Sequence, residues 1–144
     1  MSDELIKNYT RYENNIPVSG MYNALMHPFI NTSIKAMLYY QGESEMGLAK
    51  SDYGKYNEYL KIYVEDLREK NGYDFSFYNV QLSSHVTNQW SGICEQRAVQ
   101  FDGIKMIDKA GLVVSMDQGF RSTDSDFAHP NYKEPVGQRL AALA

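Results

Sequence analysis

Three short apolar runs constrain this chain more than any other feature, because each ends in a polar loop and helical periodicity follows each one. Residues 34–40, 75–81 and 111–116 are too short for core helices and are bounded by turn residues, so they read as buried strands. After the first run, Tyr53, Tyr56, Leu60, Tyr63, Val64 and Leu67 fall at i, i+3, i+7, i+10, i+11 and i+14, one face of a helix. Ser51 or Asp52 caps its start and Asn71-Gly72 ends it. A weaker helical period runs from about Ile93 to Lys109, carrying Ile93, Phe101, Ile104 and Ile107, with Gly103 inside it. A long polar loop, residues 117–131, leads to a last helix bearing Val136, Leu140 and Leu143, with Pro135 in its first turn. Strand and helix thus alternate three times. That order predicts an α/β fold: parallel strands with right-handed crossovers, in a three-layer α/β/α sandwich of about three strands. Open parallel sheets are covered on both faces and usually have more strands, so the fold is expected to be incomplete.

The remainder of the chain sets bounds. Residues 1–17 show no period and read as a lead-in segment, leaving 18–144 as the domain. Residues 21–27 read as a short helix that Pro28 stops or bends. A chain of 144 residues, 43% hydrophobic, suffices for one core and not for two. Its 14 basic and 18 acidic residues are scattered, with no basic stripe, so no nucleic-acid partner is expected. No apolar run is long enough to span a membrane. The start, Met1 to Lys7, is acidic and polar, unlike a signal peptide, and the single Cys94 excludes an internal disulfide. The compartment stays open. Twelve tyrosines suit a carbohydrate-contacting cleft, but for most of them ordinary half-buried positions are the favoured reading.

In open α/β sheets ligands bind beyond the carboxyl ends of the strands. Three polar loops leave those ends: Gln41-Gly42-Glu43-Ser44, Ser83-Ser84-His85, and the loop holding Asp124, Asp126 and His129. A carboxylate three residues before a histidine can accept its Nδ1–H, fix the tautomer and stabilise the imidazolium once Nε2 takes a proton. On spacing alone, Asp126 and His129 read sooner as a histidine near a helix start beside a convenient acid than as a catalytic pair, and Asp124 is a second candidate partner. Gly42 lets backbone approach a ligand, and Gln41 can donate to a developing oxyanion. The same residues also make an ordinary polar turn. His27, His85, His129 and Cys94 fit no zinc spacing, so neither metal nor cofactor is expected. Cys94, in a helical stretch, reads as a small packing residue rather than a nucleophile. Nothing specific supports Glu43 and Asp126 as a glycosidase pair.

Several motifs, in order, resemble one family. Tyr22-Asn23-Ala24-Leu25-Met26-His27-Pro28, Ile34-Lys35 and Leu38-Tyr39-Tyr40-Gln41-Gly42-Glu43-Ser44 resemble the "YNAMIHP…IKG…WYQGES" region of sialate O-acetylesterases, SGNH hydrolases related to acetylxylan esterases. Phe77 to Leu82 is similar to their "FYxVQL" strand, and Trp90, Arg97 and Gln100 to a "W…RxxQ" helix start. His129-Pro130-Asn131-Tyr132-Lys133, then Val136 to Ala141, resembles "HPxxKxxVGxRLA". The resemblance covers roughly residues 18–144. It implies a flavodoxin-like SGNH fold and a Ser-His-Asp hydrolase that removes acetyl groups from an acetylated carbohydrate. His129 matches the general base and Asp126 its orienting acid. Gln41 and Gly42 lie in the block that helps form the oxyanion pocket, and Glu43 and Arg97 match positions that hold the site together.

One departure matters. The family's nucleophile sits in a "GQSN" motif before the "QGES" block, and no Gly-Gln-Ser-Asn occurs here. Ser44, Ser83 and Ser84 stand in the wrong context. The nucleophile is therefore unknown, and loss of that serine costs on the order of 10⁶ in turnover. Three readings stay open: an esterase whose N-terminal segment supplies the serine from elsewhere, a non-catalytic remnant that binds acylated glycans or a partner chain, and a hydrolase using Ser44 or Ser84. In this fold the serine-bearing strand is expected beside the first strand here, whose edge is otherwise an aggregation hazard.

Overall fold

The computed structural model describes residues 19–20, 22–46, 52–83, 92–118 and 132–144. The chain divides into two compact units, Met1–Ser33 and Ile34–Ala144. In the first, Tyr22–Met26 makes one wide helical turn and His27–Phe29 a tight 3-10 turn. Pro28 occupies an early position of the tight turn, where its missing N–H removes no intrahelical bond. The short helix expected here is thus realised as two turns of different pitch. The lead-in of residues 1–17 lies outside the described residues.

In the second unit, strands β1 (Ala36–Tyr39), β2 (Ser76–Val80) and β3 (Ala110–Val113) form one parallel sheet in the order β1-β2-β3. Leu38 stands opposite Tyr78, and Tyr78 opposite Gly111. Helices α1 (Lys55–Asn71) and α2 (Ile93–Gly103) share one core with the sheet, in which Tyr56, Leu60, Val64 and Val99 pack with Phe77. Helix α3 (Glu134–Leu143) covers the opposite face, where Val136 meets Val80 and Val113. Phe77 and Val80 point to opposite sides of β2, as the strand's period of two requires. The result is the α/β/α layering expected from the alternation. Each fully buried Val, Leu or Phe contributes about 1.5–3 kcal/mol.

Local sequence explains most boundaries. Helix α1 buries Tyr56, Leu60, Val64 and Leu67 and ends at Gly72, whose φ of 76° lets its N–H reach the carbonyls of Arg68 and Glu69. Its start differs from expectation. Gly54 is the N-cap, with no side-chain cap, so Tyr53 lies before the helix, exposed, and donates to Asp102 at 3.2 Å. Asp52 instead pairs loosely with Lys55. Buried Arg68 donates to the carbonyls of Phe75, at 3.1 and 2.7 Å, and Asp108, at 2.7 Å. It thereby fixes the entries to both β2 and β3.

Helix α2 is shorter than its predicted span, passing at Gly103 into a 3-10 turn, Ile104–Met106. A Cβ at position 103 would collide with the Asn57 amide oxygen, so glycine permits the close approach of α1 and α2. The inward face also differs from the sequence reading. Phe101 is 51% exposed, with Lys105 Nζ 3.9 Å from its ring centre. The buried stripe is Gln96, Val99, Gln100 and Gly103. Helix α3 starts as expected, with Lys133 as N-cap and Pro135 in the first turn.

Candidate functional site

The carboxyl ends of the three strands deliver residues 40–43, 81–83 and 114–118 to one edge of the sheet. Side chains tie these segments together. Gln100, fully buried on α2, donates through Nε2 to the Gln41 carbonyl and accepts the Leu82 N–H through Oε1, both at 3.0 Å. One carboxamide thus locks the loop after β1 to the loop after β2. Arg97 sits one turn earlier on the flank of the same helix. Its guanidinium donates to the Leu82 carbonyl (2.9 Å) and the Ser83 carbonyl (2.6 Å), while Gln81 Nε2 donates to the Arg97 carbonyl (3.1 Å). Burial lowers the Arg97 pKa from its usual value, yet a guanidinium keeps its charge in proteins. From the third segment, Ser115 donates to the Gln81 carbonyl, and its hydroxyl lies 3.5 Å from that of Tyr40.

Gln41 is oriented at both ends of its amide. The Tyr39 hydroxyl donates to Oε1 at 2.9 Å, and Nε2 donates to Glu45 at 2.6 Å. This fixes which end is nitrogen and leaves one N–H of that nitrogen uncommitted to Glu45. Burial, then the neighbouring Tyr56 and Tyr63 hydroxyls, then Glu45 and Glu43, push the Tyr39 hydroxyl far above its ordinary value. Burial likewise pushes Tyr56 up to about 12, partly opposed by Gln100. Both phenols therefore stay neutral donors around pH 7. Gly42 follows with φ 138°, a conformation that favours glycine. A Cβ there would stand 3.0 Å from the amide nitrogens of Gln96 and Gln100 and 3.4 Å from the Tyr56 hydroxyl. The Gln41-Gly42 turn therefore rests directly on a polar platform supplied by α1 and α2.

Of the residues singled out from sequence, the structure brings Gln41 and Gly42 together on α2 and places Arg97 under the adjoining loop. Glu43 is half-exposed just beyond the turn, and Ser44 is exposed. Asp124, Asp126 and His129 lie outside the described residues, as do Ser84, His85 and Trp90. Among the described residues no cluster of His, Cys, Asp and Glu is arranged to hold a metal ion. No described helix is long and apolar enough to cross a membrane.

The family described as carbohydrate esterase, sialic acid-specific acetylesterase matches residues 4–142. The chain belongs to this family. Sialate O-acetylesterases from Homo sapiens and Pongo abelii are each 28% identical to it over 137 residues, which is 85% of this chain and 26% of theirs. The chain thus spans about a quarter of the length of these relatives. Within this family member, Gln96, Gln81, Tyr56 and Ser115 are parts of the polar edge that the sequence reading passed over. A signal for Gln96 and Gln100 existed. They stand at i and i+4 with Val99 between them, a helical stripe that only a mixed polar and apolar inward face explains.

Proposed function

We propose that this chain supplies the acid–base and oxyanion side of a carbohydrate O-acetylesterase site acting by a Ser-His-Asp mechanism. The serine would come from a segment bearing the Gly-Gln-Ser-Asn motif, which does not occur in these 144 residues. In this reading the serine Oγ attacks the acetyl carbonyl while His129 Nε2 takes its proton, with Asp126 holding Nδ1–H. The oxyanion is met by the Gln41 N–H that does not go to Glu45 and by the backbone at Gly42. His129 then returns the proton to the departing sugar oxygen, and water hydrolyses the acetyl-enzyme by the same route. Acetylated sialic acid is the substrate class suggested by the relatives' names, with acetylated xylan a related possibility.

The observation that supports this most is the Gln41-Gly42 turn. It sits at the carboxyl end of β1, its amide is oriented by Tyr39 and Glu45, and Gln100 ties it to the next loop. Such pre-orientation of its polar groups is what a binding turn requires. The test is acetate release from an O-acetylated sialic acid by the chain alone and by the chain joined at its N-terminus to a Gly-Gln-Ser-Asn-bearing segment. Release is expected only from the joined form and is abolished by His129→Ala. The lack of that motif favours one alternative, a non-catalytic domain that binds acylated glycans. Binding without release by the joined form would establish it.

A further inference from the structure

Two glutamines one turn apart on the inward face of α2 behave differently. Gln100 has both ends of its carboxamide bonded. Gln96 is equally buried, at 0% exposure, yet neither its Oε1 nor its Nε2 has a hydrogen-bond partner among the described residues. The Tyr56 hydroxyl is near enough for Gln96 to favour its ionised form slightly, but without hydrogen-bond geometry. A buried, unpaired carboxamide weakens a fold, and an apolar side chain of the same shape removes that cost. Its position shows what it faces. On the side of Gly42 that faces α2, the Gln96 nitrogen is as close as the Gln100 nitrogen, 3.0 Å from where a Cβ would stand. The glycine has φ 138°, so its peptide planes are set by their surroundings rather than by a side chain.

We propose that Gln96 is a positioning residue for the Gln41-Gly42 turn, its free carboxamide hydrogen-bonding the turn's backbone when an acetyl ester occupies the turn's outer side. This rests on the reading of that turn as part of an ester-binding pocket. Gln100 already has both of its bonds within the fold, so they contribute to stability whether or not an ester is bound. A bond that Gln96 makes only in the occupied state contributes to binding alone, since a ligand shifts a conformation only through what differs between the two states. The two glutamines should therefore show opposite signatures: Gln100 is needed for stability, and Gln96 is dispensable for stability but needed for binding.

The experiment is calorimetric titration of the chain with an O-acetylated sialic acid, with thermal unfolding of the same samples. For Gln96→Leu the expected result is a higher Tm together with binding weakened about tenfold, the scale of one hydrogen bond. Gln96→Glu supplies a second readout. A carboxyl group in that buried position is neutral near pH 5 and donates as the amide does, so binding should match the parent there and fall below it at pH 8. A Leu variant that binds as tightly as the parent overturns the proposal. So does a Leu variant with a lowered Tm, which would show that the amide is already bonded in the free chain. If the Leu variant does not fold, equal binding by parent and Glu variant at both pH values overturns it. Failure of the unsubstituted chain to bind the ester, but not of a variant, overturns the pocket reading itself and the proposal with it.

Discussion

Replacing Gln100 by leucine removes two bonds while keeping nearly the same volume, so the cost comes from hydrogen bonding rather than from a cavity. The Leu82 N–H loses its acceptor at a position where Leu82 is buried. An unpaired buried donor costs about 1–3 kcal/mol. The Gln41 carbonyl keeps only the Tyr56 hydroxyl at 3.5 Å, so the second bond adds about 0.5–1.5 kcal/mol. The sum is about 1.5–4.5 kcal/mol. With a urea m-value of about 2 kcal/mol/M, the midpoint of urea unfolding falls by roughly 1–2 M at unchanged slope. The assay is equilibrium urea unfolding followed by tyrosine and tryptophan fluorescence. A shift below about 0.3 M would refute the claim that this carboxamide joins the β1 and β2 loops, because no arrangement with both bonds formed yields so small a loss.

Gly42→Ala places a side chain at φ 138° against two amide nitrogens 3.0 Å away. It should cost about 1–3 kcal/mol in urea unfolding and weaken ester binding. Gly103→Ala drives a methyl into the Asn57 amide and should cost about 1–3 kcal/mol. Adding Asn57→Ala should recover part of that loss, and a double-mutant cycle with coupling under about 0.5 kcal/mol would contradict the contact. Arg139 donates to both carboxylate oxygens of Asp117, at 2.7 and 2.6 Å, and holds that carboxyl far below its ordinary range. A depressed carboxyl pKa stabilises above the unfolded value, about 3.9, and the gain fades as pH falls toward the folded value. The difference between parent and Arg139→Gln should therefore be flat from pH 7 to 5, shrink below about pH 4, and diminish with added salt. A difference that already shrinks between pH 7 and 5 would contradict the pairing.

The layers of this fold were legible because they rest on local signals. Phe77 and Val80 on a short strand, the stripe of Tyr56, Leu60, Val64 and Leu67, and Asn71-Gly72 at its end each act within a few residues. Parallel pairing also followed, since strands that alternate with helices are joined by crossovers. What failed to show is the inward face of α2. There Gln96 and Gln100 take positions that hydrophobicity assigns to apolar side chains, and Phe101 lies outside against Lys105. Hydrophobic periodicity misleads where a helix serves a polar site, because its buried side chains are chosen for backbone carbonyls and N–H groups of distant loops. Gln41-Gly42 stood out in the sequence as a polar turn after the first strand, but its support did not. Tyr56 and Gln100 reach its carbonyl from far along the chain, while Gln81 and Ser115 tie the neighbouring loops, and only the folded topology makes them neighbours.

The most direct test of the account uses a fluorophosphonate probe with peptide mapping. Such probes label only a serine activated by a working base. The probe is applied to this chain alone and to the chain joined to a Gly-Gln-Ser-Asn-bearing segment. The account predicts no labelled peptide from the chain alone, and in the joined form a label on the motif's serine that disappears with His129→Ala. A label on Ser44 or Ser84 of the chain alone, lost in His129→Ala, would contradict it and show that these 144 residues carry their own nucleophile.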